Sequence, residues 1–179
     1  MALIVQKYGG TSMGSPERIK NVARRVAKWK AQGHDVVVVV SAMSGETNRL
    51  IALAKEIQDQ PDPRELDVII STGEQVTIGL LSMALKEIGV EAKSYCGWQV
   101  RVVTDSAFNK ARIQSIDEAA MRGDLNEGRV VVVAGFQGIA PDNRIATLGR
   151  GALAMPNLAQ SIRSGAAAMP WPQVLELLM

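Results

Sequence analysis

The sequence holds a single cysteine, Cys96, so an internal disulfide is impossible, and a reducing compartment fits. Charge of one sign is not in excess: 20 Lys and Arg stand against 18 Asp and Glu. There is no long basic run and no interleaving of aromatic with basic residues, so no nucleic-acid partner is expected. No apolar run approaches the roughly 18 residues that cross a bilayer, so no membrane partner is expected either. The start, Met1 to Lys7, is too short and wrongly charged for a signal peptide, which makes a cytoplasmic location the expectation. No internal repeat and no low-complexity linker interrupt the chain. What is present is a 47% apolar sequence of about one domain's length.

Residues 2–7 read as a buried strand, followed by the turn Lys7-Tyr8-Gly9-Gly10-Thr11-Ser12. A helix over 16–32 follows, with Ser15 as N-cap and Pro16 in the first turn. Ile19, Val22, Ala23 and Val26 share one face of it, and Gly33 stops it. Five consecutive valines, 36–40, predict a strand buried on both faces, as in a parallel sheet covered by helices. Residues 41–48 read as a polar loop. Helices are expected over 49–58, 65–71 and 74–88, with Gly73 separating the last two and Val76, Leu80, Met83, Ala84 and Ile88 as the apolar stripe. Short strands are expected at 90–95 and 99–103, a helix at 113–121, and a fully buried strand at 129–134. Pro141-Asp142-Asn143 marks a hairpin tip, with 147–151 on the return. Alternating strands and helices give an α/β class.

Strand, glycine turn and helix in that order build a phosphate cradle. The glycines let backbone approach an anion, and Lys7 puts a cation at the strand's end. The spacing is not that of a Walker-type loop. Plain readings compete. Ser41 and Thr47 can be loop or cap residues. Glu74 can stabilise a helix start, Arg150 can be a surface cation, and His34 a loop residue. Cys96 reads as a small apolar filler, and Trp29, Trp98 and Trp171 as packing.

Five segments occur in order: residues 7–12, Val40 to Asn48, Thr72-Gly73-Glu74-Gln75, Ala134-Gly135-Phe136-Gln137-Gly138 and Thr147-Leu148-Gly149-Arg150-Gly151. Together they closely resemble bacterial aspartokinases, members of the amino-acid kinase family, over residues 1–151. The resemblance implies a mostly parallel, three-layer α/β/α sandwich, incomplete in this chain. It implies phosphoryl transfer from ATP, with Mg²⁺, to the side-chain carboxylate of L-aspartate, the first step towards lysine, threonine and methionine. By this resemblance Lys7 is the catalytic lysine. Lys7, Tyr8, Gly9, Gly10 and Ser41 fall on the nucleotide side, and Ser41 also reads as a substrate-side hydroxyl. Thr47, Glu74, Arg150 and Gly151 fall on the substrate side, with Glu74 facing the substrate's amino group and Arg150 a carboxylate. No residue is assigned to a protein-held metal. A homo-oligomer or a complementing chain is the expected partner.

After Gly151 the resemblance stops. Ala152-Leu153-Ala154-Met155 replaces the family's glycine-serine-aspartate-threonine continuation, with Ala154 at the aspartate's place. Residues 152–179 carry neither the later ATP motifs nor regulatory domains, as if the gene were truncated or shifted in frame, and residues 174–178 read as one helical turn or a sticky tail. An exposed sheet edge is expected to follow. Other amino-acid kinases, acting on glutamate, carbamate or a nucleoside monophosphate, remain open, as does a non-catalytic fragment. Lys7 to Ser12 and Gly135 to Gly138 favour aspartokinase.

Overall fold

Three runs of valine and isoleucine set the centre of the molecule. The computed structural model describes residues 1–117 and 119–148, together with the backbone of 174–178. Strands β1 (Leu3–Tyr8), β2 (Asp35–Val40) and β6 (Val130–Ala134) lie side by side and parallel, as their apolar character predicts. With β3 (Ala92–Tyr95) and β9 (Val174–Leu178) they make a parallel five-stranded sheet in the order β3-β6-β2-β1-β9. Alternate side chains feed two cores. Ile4, Tyr8, Val36, Val38, Val40 and Val132 pack under α1 (Pro16–Ala31) and α3 (Pro63–Glu87), while Leu3, Val5, Val37, Val39 and Val131 pack against α4 (Ala119–Asn126). Helices on both faces of one parallel sheet are the expected three layers.

Helix α1 starts where its sequence says. Ser15 is extended and its hydroxyl accepts from the Arg18 N–H, with Pro16 in the first turn. Helix α2 (Glu46–Ile57) begins at Gly45, whose φ of 82° suits a residue without a side chain. A second sheet, β5-β4-β7-β8, lies beside the first. It comprises β4 (Val103–Thr104), β5 (Ile113–Ser115), β7 (Gln137–Ile139) and β8 (Ile145–Thr147). Strands β7 and β8 form the antiparallel hairpin expected around Pro141-Asp142-Asn143.

Five expectations need correction. Helix α3 is continuous through Gly73. A Cβ at 73 would stand 3.0 Å from Ala42 Cβ and 3.3 Å from Glu46 Cγ, so this glycine admits close packing instead of ending a helix. With the break gone, Glu74 is mid-helix, and stabilisation of a helix start no longer accounts for it. The expected stripe on α3 is right only in part: Leu80 and Ala84 are half-buried against the core, but Val76 is 52% and Met83 69% exposed, and Ile88 is exposed too. The face turned to the sheet carries Ile70, Ile78, Leu81 and Leu85 among polar residues, which disguised it. By length and composition α3 could cross a bilayer, but half of its apolar stretch is buried in this core.

The helix expected over 113–121 is a strand and then a helix beginning at Ala119. The Asp117 carboxylate accepts the Ala119 N–H, as a residue ahead of a helix does. The segment between β3 and β4, expected as a strand from 99, is a run of turns in which Val102 N–H reaches Gly97 O at 2.9 Å. Residues 174–178, expected as one helical turn or a sticky tail, form a strand. They add to β1 in parallel register, Leu3 opposite Val174 and Lys7 opposite Leu178, and so cover an edge expected to lie open.

Candidate active site

The carboxyl ends of β1, β2 and β6 open into a cleft of about 380 Å³, the place where open α/β sheets bind ligands. Lys7 reaches it from the end of β1. Ser41 enters from the end of β2, its N–H bonded to Tyr8 O at 3.1 Å. Thr47 and Asn48 come from the first turn of α2, whose N-terminus has no side-chain cap among the described residues, so that its dipole favours an anion there. Glu46, in the same turn, is closed on Arg49 through two hydrogen bonds of 2.9 and 2.7 Å. Gly10 lies where a Cβ would meet Ala42 O at 3.1 Å, so its missing side chain lets two loops of the cleft close on one another.

Glu74 is the wall opposite the phosphate turn. It is 1% exposed, and its Oε2 accepts the Phe136 N–H at 2.8 Å. Its Oε1 has no hydrogen-bond partner among the described residues. Burial pushes this carboxyl up to about 8. The Phe136 N–H, the Gln137 side chain, the Gly135 N–H and the Lys7 charge pull the other way without overcoming it.

Helix α3 holds the cleft through a row of polar residues on its buried face. Thr77 Oγ1 donates to Ser41 O at 3.0 Å. Ser71 O accepts from Gln137 Nε2 at 3.1 Å. Asp67 is fully buried, and its carboxylate accepts from Thr147 Oγ1 at 2.5 Å, Thr147 N at 2.8 Å and Asn109 N at 3.1 Å. These contacts latch the β2–α2 loop, the β6–β7 turn and the β7–β8 hairpin to one helix. Burial pushes the Asp67 carboxyl above its ordinary value, and the Thr147 and Asn109 donors pull it back.

Five of the expected site residues therefore meet: Lys7, Gly10, Ser41, Thr47 and Glu74 all line the cleft. Tyr8 does not. Its ring is buried in the core under α1, and its hydroxyl donates to Gln6 Oε1 at 3.1 Å. Gly9 opens the turn beside the cleft, and its carbonyl accepts from Ser12 and Met13. Arg150 and Gly151 lie outside the described residues. Thr11, Met43, Ser44, Asn48 and Phe136 line the cleft without having been singled out. Phe136 contributes through its backbone N–H, which no residue type signals. Asp67, Ser71, Glu74 and Thr77 recur at helical spacing on α3, and that pattern was legible. Among the described residues no group of three or more His, Cys, Asp or Glu could hold a metal ion.

The model of the amino acid kinase family matches residues 2–155. An aspartate kinase of Pseudomonas putida is 68% identical over 151 residues, covering 84% of this chain and 37% of that protein. The chain thus spans well under half the length of this relative. The crystal structure of an aspartate kinase from Synechocystis superposes with a TM-score of 0.76 at 44% identity, over 98% of this chain and 28% of that one. E. coli aspartokinase III, solved in complex with aspartate and ADP, superposes with a TM-score of 0.78 at 24% identity, over 98% of this chain and 49% of that one, a likeness of fold.

Proposed function

The chain belongs to the amino acid kinase family, and from that premise we propose that its cleft is the amino-terminal part of an aspartate kinase site. The reaction moves the γ-phosphoryl group of ATP to the side-chain carboxylate of L-aspartate, on the way to lysine, threonine and methionine. One observation carries the reading: a cation, an uncapped helix N-terminus and an unsatisfied buried carboxyl face one another across a single cleft. An amino acid presents the complement, an ammonium for Glu74 and a carboxylate for the α2 terminus and Thr47. Arg150 is the further clamp for a carboxylate.

The chemistry brings anions together, so the protein's part is positioning and charge neutralisation. Lys7 faces the transferring phosphoryl group. Gly10, Thr11 and Ser41 stand where backbone and hydroxyl donors meet phosphate oxygens, and they fit that group: the turn is open at Gly9, where no atom lies within 4 Å of a built Cβ. Mg²⁺, when bound with ATP, supplies charge neutralisation at the phosphates. Residues 1–151 are the substrate-side part of the catalytic domain, and residues 152–179 are an atypical tail. Another chain, or a second copy of this one, is the partner that completes the site, in the cytoplasm.

A chimera tests the reading. This chain's residues 1–151 replace the aligned segment of the Pseudomonas putida enzyme, and aspartyl hydroxamate is measured with ATP, Mg²⁺, L-aspartate and hydroxylamine. The chimera should work within about tenfold of its parent, a difference of about 1.4 kcal/mol in barrier. The 179-residue chain alone should form little, because Ala154 stands where the family has an aspartate. A folded chimera without hydroxamate would overturn the assignment. Robust turnover by the chain alone would overturn the reading of the tail.

A further inference from the structure

Glu74 is buried in the cleft wall with Oε1 unpartnered among the described residues and with only neutral donors about it, the Phe136 N–H on Oε2 and, beside it, the Gln137 side chain and the Gly135 N–H. A buried carboxylate compensated by neutral donors alone, without an ion pair, is a poorly supported ion, and such groups take up a proton instead. Among the described residues the surrounding elements supply no ion pair for it. From β1, Lys7 shares the cleft and attracts Glu74 but forms no ion pair with it. From α2, Glu46 is the facing acid, and its carboxylate is held by Arg49. Beyond β3, the Cys96 thiol is pushed up by burial and adds no charge of its own. The β6–β7 turn offers only the neutral groups of Gly135, Phe136 and Gln137. On α3 itself, Asp67 is engaged with Thr147 and Asn109.

Resting on the function assigned above, we propose that Glu74 lies in the empty cleft as the neutral carboxylic acid and releases its proton to solvent when the ammonium of an amino-acid substrate enters. The O–H bond of Glu74 breaks, the proton passes to water or buffer, and Oε1 accepts an N–H from the ligand. No other bond changes. Glu74 thereby determines specificity by charge exchange. A dicarboxylic acid of the same length without the amine, succinate, leaves the acid protonated and gains no ion pair. Binding of the amino acid strengthens as pH rises towards 8, because less of the site must first lose its proton.

Two measurements on the 179-residue chain test this. The first is a carbon-detected NMR titration of the ligand-free protein, with Glu74 identified by comparison with Glu74→Gln. Its carboxyl should titrate near 8. Titration together with the other glutamates overturns the proposal. The second is calorimetry at pH 7 in buffers of different ionisation enthalpy. L-aspartate should release about 0.9 proton per ligand, the protonated fraction of a group titrating near 8, and succinate none. Between pH 6 and 7 the Kd for L-aspartate should fall about tenfold. Aspartate binding without proton release overturns the proposal and leaves the assigned function standing. If Glu74 titrates near 8 but L-aspartate neither binds nor moves its resonance, in the chain or in the chimera, the assigned function fails and takes the exchange step with it.

Discussion

Replacing Lys7 with alanine in the chimera is expected to lower hydroxamate formation by about 10²–10³-fold, in kcat more than in the KM for aspartate. The backbone of Lys7 is paired on both sides, opposite Val39 of β2 and Leu178 of β9. Its parity matches Leu3 and Val5, which are buried, but Lys7 sits at the carboxyl end where the cleft opens. A cation fixed by a strand costs little reorganisation when charge develops on the phosphoryl group, which is why its loss falls on the transition state. Steady-state kinetics and a melting curve check this together. The folded state should be little affected, since the expected loss is chemical. A fall of less than about tenfold in rate would remove Lys7 from the role given to it.

Two glycine substitutions are expected to act with opposite sign. A Cβ at Gly138 would stand 2.5 Å from Val102 O and 2.6 Å from Thr104 Cγ2, inside the contact between β7 and β4. Gly138→Ala must therefore push β7 away, and with it the turn whose Phe136 N–H holds Glu74. The backbone contact cannot yield as a flexible side chain would, so the cost should exceed about 3 kcal/mol, at the upper end for overpacking. In a domain of this size that lowers Tm by about 10 °C. Gly79 lies mid-helix in α3 with nothing within 4 Å of its Cβ position. Gly79→Ala should stabilise by up to about 1 kcal/mol, through helix propensity alone. Thermal or urea unfolding of the two variants beside the parent decides it. A neutral Gly138→Ala would mean that the β4–β7 contact is not as tight as described.

The same contrast explains how much was legible in the sequence. Strands β1, β2 and β6 announce themselves, because residues buried on both faces of a sheet leave an unbroken apolar run. Helix α1 shows its face and its cap together. Helix α3 was misread at Gly73 because a glycine reads locally as a stop, whereas its reason is the Ala42 side chain 31 residues away in sequence. Its buried face was misjudged because Asp67, Ser71, Glu74 and Thr77 interrupt it with polar residues, and the partners that tie Asp67, Glu74 and Thr77 to the rest of the fold lie 36 to 80 residues distant. Strand β9 was missed for a similar reason: its pairing answers the free edge of β1, which no local pattern of residues 174–178 encodes.

In the site, Lys7, Ser41, Thr47 and Glu74 were identified through motif order, and they do share a cleft. What was missed is what holds them. Phe136 acts through its backbone, and Gln137 and Thr77 act on main-chain carbonyls. Such roles depend on where the chain has been brought, not on side-chain type. Tyr8 shows the converse. It belongs to the glycine motif, but strand alternation turns its ring into the core, and only its carbonyl serves the site, by accepting from Ser41.

The central claim is that L-aspartate enters the cleft at the carboxyl ends of β1, β2 and β6 and meets Glu74. Backbone amide NMR of the 179-residue chain, titrated with L-aspartate, tests it most directly. The account predicts the largest shift at the Phe136 N–H, which is bonded to Glu74, with others at Lys7, Ser41 and Thr47, and their loss in Glu74→Gln. Shifts confined to another surface, such as the groove of Ile19, Leu80 and Met83 between α1 and α3, would contradict it.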